Sequence, residues 1–340
     1  MSPNNLSKSA LLALLLVVLA IGGWELYLRS RGITTAYDNG KELWSDKRAM
    51  VYDPAEKTTV FIGSSRIKFD LDIDTWEKTT GRKAVQLAIE GSSPMPVLTD
   101  LGNDPNFRGK LVVDVTEPLY YSSDPPNVLK PNEDLAWYHK RTPAEKASFV
   151  LDHALESGFV FLDRDNLSLN AELEKLKIPD RPGVFVFPTF PPEFNRTAFS
   201  RQSIMSPQFL ADTSIQHRVQ NIWLFVMDMA KHAPPPKQDP IAPIVTATKA
   251  AVDKIRARGG EVVFIRTPSS GVMGGVEQHV FPRERCWDPL LAATQCKGIF
   301  YTDYPATSHF ICPEWSHLAP QDAITYTKAL ITQLPSSFTN

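Results

Sequence analysis

The chain has 340 residues and a mass of 38.0 kDa, which at roughly 150 residues per domain corresponds to two domains or to one large domain with an insertion. Apolar residues are 43% and charged residues 22%, which excludes a collagen, a coiled coil, a polytopic membrane protein and a mostly disordered chain. Lys plus Arg number 36 against 38 for Asp plus Glu, a net charge of −2, so no overall positive field exists to recruit nucleic acid.

Residues Ala10 to Trp24 carry no charge or strongly polar side chain, and the stretch runs on to Leu28 with Glu25 as its only charge. As a helix, that length reaches about 28 Å, close to the hydrocarbon thickness of a bilayer. A single-pass membrane anchor is the expectation. A cleaved secretory signal is the rival reading, because Lys8 precedes the apolar run; no clean A-x-A site follows, and Trp24 with Tyr27 forms an interfacial aromatic pair. Lys8 on one flank is matched by Arg29 and Arg31 on the other, so charge says little about orientation. Export of the body, to the periplasm or the cell exterior, is the expectation for so short an N-terminal tail.

From Val60 the pattern turns α/β. Val60 to Ile62 reads as a strand ending at Gly63, Asp72 to Thr80 as a helix stopped by Gly81, Ala84 to Ala88 as a second strand, Pro96 to Leu101 as a short helix and Leu111 to Val115 as a third strand. The third strand is nearly continuous in β-branched residues, as a sheet buried on both faces requires. Between Pro118 and Pro240 the rhythm breaks into helices without strands. Thr142 caps one with Pro143 in its first turn, Asn170 to Lys177 forms another, and Asp212 to His232 a longer amphipathic one. Ile178 to Gln208 is irregular and proline-rich, and Pro234 to Pro236 marks the exit. The α/β rhythm returns with a helix over Ile241 to Arg258, a strand over Val262 to Ile265, a weaker strand over Ile299 to Tyr301 and a closing helix over Pro320 to Leu334. The division is an anchor and stalk over 1–35, a first part of the α/β domain over 36–117, a helical, proline-rich insertion or cap over 118–240, and a second part over 241–340. A mostly parallel sheet with crossover helices is the architecture such alternation implies.

Three cysteines, Cys286, Cys296 and Cys312, form no C-x-x-C pair and have no His at ligand spacing, which disfavours structural zinc. In an oxidising compartment Cys286 and Cys296 can close a short loop, the other pairings remaining open; three buried thiols are the alternative. The chain has no G-x-x-x-x-G-K-[ST], no G-x-G-x-x-G after a strand and no H-E-x-x-H.

What remains is a strand running straight into Gly63-Ser64-Ser65-Arg66. Ligands bind at the carboxyl ends of strands in open α/β sheets, and a serine there lies near helix N–H groups able to stabilise an oxyanion. Far along the chain, Glu314-Trp315-Ser316-His317 places a carboxylate three residues before a histidine. That spacing lets the acid hold the imidazole Nδ1–H and leaves Nε2 to take a proton from a serine. A third segment, Glu90-Gly91-Ser92-Ser93-Pro94, offers a glycine whose N–H can approach a substrate. Taken one at a time, each has an ordinary reading as a turn or a loop.

Together, in this order and at these strand ends, the three segments resemble the SGNH hydrolase superfamily, the GDSL esterases and lipases. The resemblance runs over Val60 to Pro118 and Ile241 to Leu334. It implies an α/β/α sandwich, Ser65 as nucleophile, His317 as base, Glu314 in place of the family's Asp as the acid, with Asp303 in reserve, and the N–H groups of Ser65 and Gly91 as oxyanion hole. It implies no metal or organic cofactor, and an acyl ester, of a glycan or lipid of the cell envelope, as substrate. One block departs: where the family carries Gly-x-Asn-Asp, this chain reads Asp114-Val115-Thr116-Glu117, with no asparagine for the oxyanion hole. Some envelope acyltransferase relatives share a Gly-Ser-Ser motif and altered blocks. A catalytically degenerate scaffold acting in binding or assembly is the competing class. Arg66 and Arg266 are weaker candidates for holding an anionic substrate group, with pairing to acidic neighbours as the alternative. Phe185 to Phe194 and Trp137 to His139 are candidates for an aromatic wall.

Overall fold

The computed structural model describes residues 3–54, 57–174, 176, 181, 183–234 and 238–339. It divides into two units, one made of Met1–Asp38 and Thr142–Val186, the other of Asn39–Arg141 and Phe187–Asn340. The stretch 118–240, read from the sequence as one insertion, is therefore shared between them. Parts of two expected features, the end of the helix at Lys177 and the prolines Pro235 and Pro236, lie outside the described residues.

The larger unit is built on a sheet. The strands in chain order are β1 (Thr58–Ile62), β2 (Lys83–Gln86), β3 (Lys110–Asp114), β4 (Arg196–Thr197), β5 (Ser203–Ile204), β6 (Glu261–Arg266) and β7 (Lys297–Phe300). Five of them form one parallel sheet in the order β2-β1-β3-β6-β7, with Val60 beside both Val85 and Leu111, Val113 beside Phe264, and Ile265 beside Ile299. The α/β expectation is met. β4 and β5 pair as a separate antiparallel ribbon, a correction to the strandless reading of 118–240; at two residues each they are too short to show any alternation. β2 ends at Gln86 rather than Ala88, although Leu87 and Ile89 still donate to Phe61 and Gly63 of the neighbouring segment.

Strand order explains where a site can form. Going from β1 the chain adds β2 on one side and then crosses to β3 on the other, so the connections leave in opposite directions and open a crevice beyond the carboxyl ends of β1 and β3. Side chains alternate along each strand, and the alternation sorts them into two apolar clusters. Val60, Ile62, Leu111, Val113 and Phe264 pack with Leu98, Leu101, Val252, Ile255 and Leu290 from the helices Met95–Asn103, Ile241–Ala257 and Arg283–Thr294. Phe61, Val112, Val263 and Ile265 pack with Ile67, Trp76, Tyr326 and Leu330 from the helices Ser65–Asp70, Ile73–Thr80 and Pro320–Gln333. Helices Lys41–Ala49, Pro125–Lys140, Gly271–Val280 and Arg283–Thr294 were not anticipated. Two of them contain an internal proline, Pro131 and Pro289, a residue that argues against a helix when only local preference is weighed.

Trp137, Tyr138 and His139 belong to this packing: Lys41 lies 3.9 Å over the Trp137 ring, Tyr138 packs edge-on against Trp44, and His139 meets Asp100 at 2.8 Å. All three cysteines are free, buried thiols, so the Cys286–Cys296 bridge is not formed.

The smaller unit contains the helix Pro3–Ser30, the helix Pro143–Gly158 and short turns after it. Within Pro3–Ser30, the stretch Leu6–Ser30 is long and apolar enough to cross a membrane, a test that a signal sequence also passes, and Leu11, Leu14 and Leu19 are exposed along it. Glu25 is buried instead of solvated: it accepts the N–H groups of Val160 and Phe161 at 3.0 and 3.2 Å and pairs with Arg29 at 2.7 Å. Thr142 and Glu145 form a reciprocal capping box at the start of Pro143–Gly158.

Gly102 shows where close packing decides composition. A methyl group there would stand 2.9 Å from Cβ and 3.0 Å from Cα of Ala251, inside the contact between Met95–Asn103 and Ile241–Ala257. Alanine is the better helix former by about 1 kcal/mol, but the overlap requires the two helices to separate. Gly102→Ala is expected to lower stability by about 1–3 kcal/mol, the usual range for overpacking, read as a lower urea midpoint; a raised midpoint would contradict the packing.

Candidate active site

Ser65 is the first residue of the helix Ser65–Asp70, directly after β1, with Ser64 in extended conformation before it. The approach is tight: a Cβ on Gly63 would lie 2.7 Å from Asp114 Cβ and 2.8 Å from Ile67 Cγ2, so this position tolerates only glycine without displacement of its neighbours. At the far end of the chain, the loop before Pro320–Gln333 brings His317 back over the same crevice. His317 Nε2 stands 2.8 Å from Ser65 Oγ, and His317 Nδ1 stands 2.9 Å from Glu314 Oε1. The pair joined through Nε2 is separated by 252 residues of sequence. His317 and Glu314 are buried at 1% and 0% exposure, while Ser65 is half-buried.

The Glu314 carboxylate is held on both oxygens. Oε1 accepts the N–H groups of Ser316 at 3.2 Å and His317 at 2.6 Å in addition to the imidazole, and Oε2 accepts the indole N–H of Trp223. Glutamate, one methylene longer than aspartate, curls back onto its own loop to reach these donors. Trp223 and Gln220, which donates to the Pro313 carbonyl at 3.1 Å, come from the helix Thr213–His232. Sequence reasoning missed both, and no local signal marks them, because their partners lie some ninety residues away (|i−j| of 91 and 93). Phe69, Phe194 and Trp223 surround the imidazole with ring centroids 4.5, 5.6 and 6.1 Å from it. Of the aromatic stretch singled out earlier, Phe190 and Phe194 thus belong to the wall beside His317.

Backbone geometry braces the loop. Trp315 has φ of +79°, a left-handed conformation that costs energy for a bulky residue and persists only when neighbours hold it. Those neighbours are Ser270, whose N–H donates to the Trp315 carbonyl at 2.9 Å and whose hydroxyl accepts from the Cys312 N–H at 2.9 Å, and Gly271, where a Cβ would stand 2.5 Å from the indole ring. From the serine side, Asp70 accepts the Leu318 N–H at 2.9 Å, tying the helix Ser65–Asp70 to the residue after His317. Burial pushes the Asp70 carboxyl well above the usual carboxylate range.

Gly91 follows β2 in a left-handed turn with φ of +61° and is exposed. Glu90 beside it is gripped by Lys68, on the same short helix as Ser65, and by Asn39 at 2.8 and 3.0 Å. Burial brings the Lys68 ammonium down to about 8, even though Glu90 pulls the other way. At the missing third block, Thr116 Oγ1 donates to Asp114 Oδ2 at 3.0 Å and meets Ser64 Oγ at 2.8 Å. Asp303, the reserve acid, pairs instead with Arg283, and His309 is exposed with its Nδ1 3.1 Å from the Pro305 carbonyl oxygen. No group of three His, Cys, Asp or Glu side chains suited to a metal occurs among the described residues. A cavity of about 300 Å³ lined by Pro188, Thr189, Arg218, Asn221 and Ile222 shares no lining residue with Ser65, His317 or Gly91.

Arg66 and Arg266 take the acidic-pairing alternative. Both are buried, at 2% and 3% exposure, and both bind Glu277; Arg266 also pairs with Glu117 at 3.0 and 3.1 Å, and Arg66 Nε donates to Ser316 Oγ at 3.2 Å. They form buried ion pairs, and Arg66 also bonds the loop that carries His317. No family model matches the chain, and no curated protein matches it.

This cluster has a pH signature. Burial opposes ionisation of Glu277, but the guanidinium groups of Arg66 and Arg266 outweigh it and bring the carboxyl from 4.5 down to about 2. The folded value is below the unfolded one, so the unfolded chain binds more protons between them. The stabilisation is complete above pH 4.5 and is lost as pH falls toward about 2. Glu277→Gln is expected to cost about 3–5 kcal/mol at neutral pH, as breaking a buried pair does, and to flatten the decline of stability over that acidic window in urea titrations. An unchanged slope would contradict the assignment.

Proposed function

We propose that the protein is a serine-dependent ester hydrolase or O-acyltransferase of the SGNH type, anchored to a membrane by its N-terminal helix with the catalytic body outside the cytoplasm. The observation that carries this reading is the continuous chain of hydrogen bonds Ser65–His317–Glu314 at the carboxyl end of β1. Sheet order and the two clusters on opposite faces support the three-layer α/β/α sandwich that the resemblance implies.

In this mechanism Glu314 accepts the Nδ1–H of a neutral His317, which fixes the tautomer and leaves Nε2 as the base. Ser65 Oγ attacks the ester carbonyl while its proton passes to Nε2. Glu314 stabilises the imidazolium, and the N–H groups of Ser65 and Gly91 face the developing oxyanion. His317 then protonates the departing alcohol, leaving an acyl group on Ser65. Water as the second acceptor makes an esterase; a sugar hydroxyl makes an O-acyltransferase. An envelope glycan or lipid ester is the substrate class that a membrane-tethered, exported site would meet.

A second reading, a scaffold that has lost catalysis and serves binding or assembly, draws on the third block. The Thr116 hydroxyl donates to Asp114 and no asparagine stands beside it, and one lost oxyanion donor costs about 10²–10³ in rate. Labelling with a fluorophosphonate separates the two. The catalytic reading expects wild-type protein to label, and Ser65→Ala and His317→Ala each to lower ester turnover by at least about 10³ with the fold intact. Folded wild-type protein that never labels supports the scaffold. Acetyl release from a model ester, followed with and without glycan acceptors, then distinguishes hydrolysis from transfer.

A further inference from the structure

The helix Pro143–Gly158 is amphipathic, with its apolar side turned away from its own unit. Glu145, Phe149, His153 and Glu156 form its inner line and are partly buried. Phe149 stacks on His153, His153 lies 5.5 Å from the Tyr37 ring, and the Glu156 carboxylate accepts the Asp38 N–H at 3.4 Å. Opposite that line, at about 100° per residue, Ala144, Ala147, Val150, Leu151, Ala154 and Leu155 span an arc of about 140°. All six are exposed, Val150 at 64% and Leu151 at 66%. Lys146 with Ser157 borders one side of the arc and Ser148 with Asp152 the other. A helix of a water-soluble body turns such an arc inward, and single exposed leucines are common where a contiguous stripe is not.

The attachment of this helix indicates what covers the stripe. Its last residue, Gly158, accepts a hydrogen bond from Arg29 Nη2 at 3.0 Å, and the next turn is held by Glu25 through Val160 and Phe161. Glu25 and Arg29 form the polar end of the long apolar helix, interleaved along the chain with the stacked pair Trp24 and Tyr27, side chains suited to the headgroup level of a bilayer. The stripe therefore begins at the height where the anchor leaves the hydrocarbon.

We propose that the helix Pro143–Gly158 lies in the membrane interface, its arc of Val150, Leu151 and Leu155 seated at the headgroup and acyl-chain boundary of the bilayer that the N-terminal helix crosses. The inference rests on the anchored reading of that helix. Once the anchor is inserted, the second contact is intramolecular and is favoured by effective concentration, so a short stripe suffices.

The test uses the full-length chain in phosphatidylcholine vesicles, with an environment-sensitive fluorophore on a cysteine at one position at a time. The native thiols are buried, which keeps labelling selective. Positions Leu151→Cys and Leu155→Cys report the stripe, Asp152→Cys its polar border and Leu15→Cys the anchor; all four sites are exposed. Emission at the stripe and the anchor is expected to shift to the blue and to be quenched by lipids brominated near the headgroup and along the chain, respectively, with the Asp152→Cys probe quenched by aqueous iodide instead. Quenching at the anchor without quenching at the stripe overturns the inference and leaves the anchor standing, whether the stripe is then wet or covered by a second copy or another protein. Absence of lipid quenching at all positions overturns the anchored reading and the inference with it.

Discussion

A hydrogen bond from a serine hydroxyl to an imidazole, between residues 252 apart in sequence, is the contact on which the site depends. Nothing local brings Ser65 and His317 together. The parallel sheet does so, by placing β1 between β2 and β3, so that the turn after β1 and the loop before the last helix converge over one crevice. A parallel sheet is buried on both faces, so the strands must be apolar throughout, and polar groups are confined to the strand ends. Chemistry concentrates there because it has few other places to go.

The crevice is held from beneath by groups that never meet a substrate in the proposed mechanism. Arg66, Arg266, Glu117 and Glu277 form a buried ion network whose members come from the helix Ser65–Asp70, the end of β6 and the helices Glu117–Tyr120 and Gly271–Val280. Arg66 also bonds Ser316, next to His317. Pairs of this kind add little net stability compared with apolar packing, but breaking one strands a buried charge, so they make deviations from the native arrangement expensive. Trp223 acts in the same direction on Glu314. By donating to Glu314 Oε2 it leaves the buried carboxylate with donors on both oxygens, which fixes its position.

Much of this was legible in the sequence, for physical reasons. Strands such as Lys110–Asp114 announce themselves through β-branched continuity, helices such as Ile73–Thr80 through an acidic start and a glycine stop, and the contact of Glu314 with His317 through their three-residue spacing. Helices with internal prolines were not visible, because Pro131 and Pro289 oppose the pattern that tertiary packing sustains. The partner of Arg66 and Arg266 was hidden for a related reason: acidic pairing is expected of such a charge, but Glu277 lies 211 residues from Arg66 and nothing local points to it. Trp223 and Gln220 escaped because a residue type that fills a core equally well carries no sign of a distant carboxylate.

Covalent capture followed by structure determination tests the central contact most directly. A crystal structure of the full-length protein after reaction with a small organophosphorus ester is expected to show one adduct, on Ser65 Oγ, with His317 Nε2 still within hydrogen-bonding distance of it and Glu314 on the opposite ring nitrogen. An adduct on Ser64 or on a serine elsewhere, or an unmodified Ser65 with His317 turned away from it, would contradict the account.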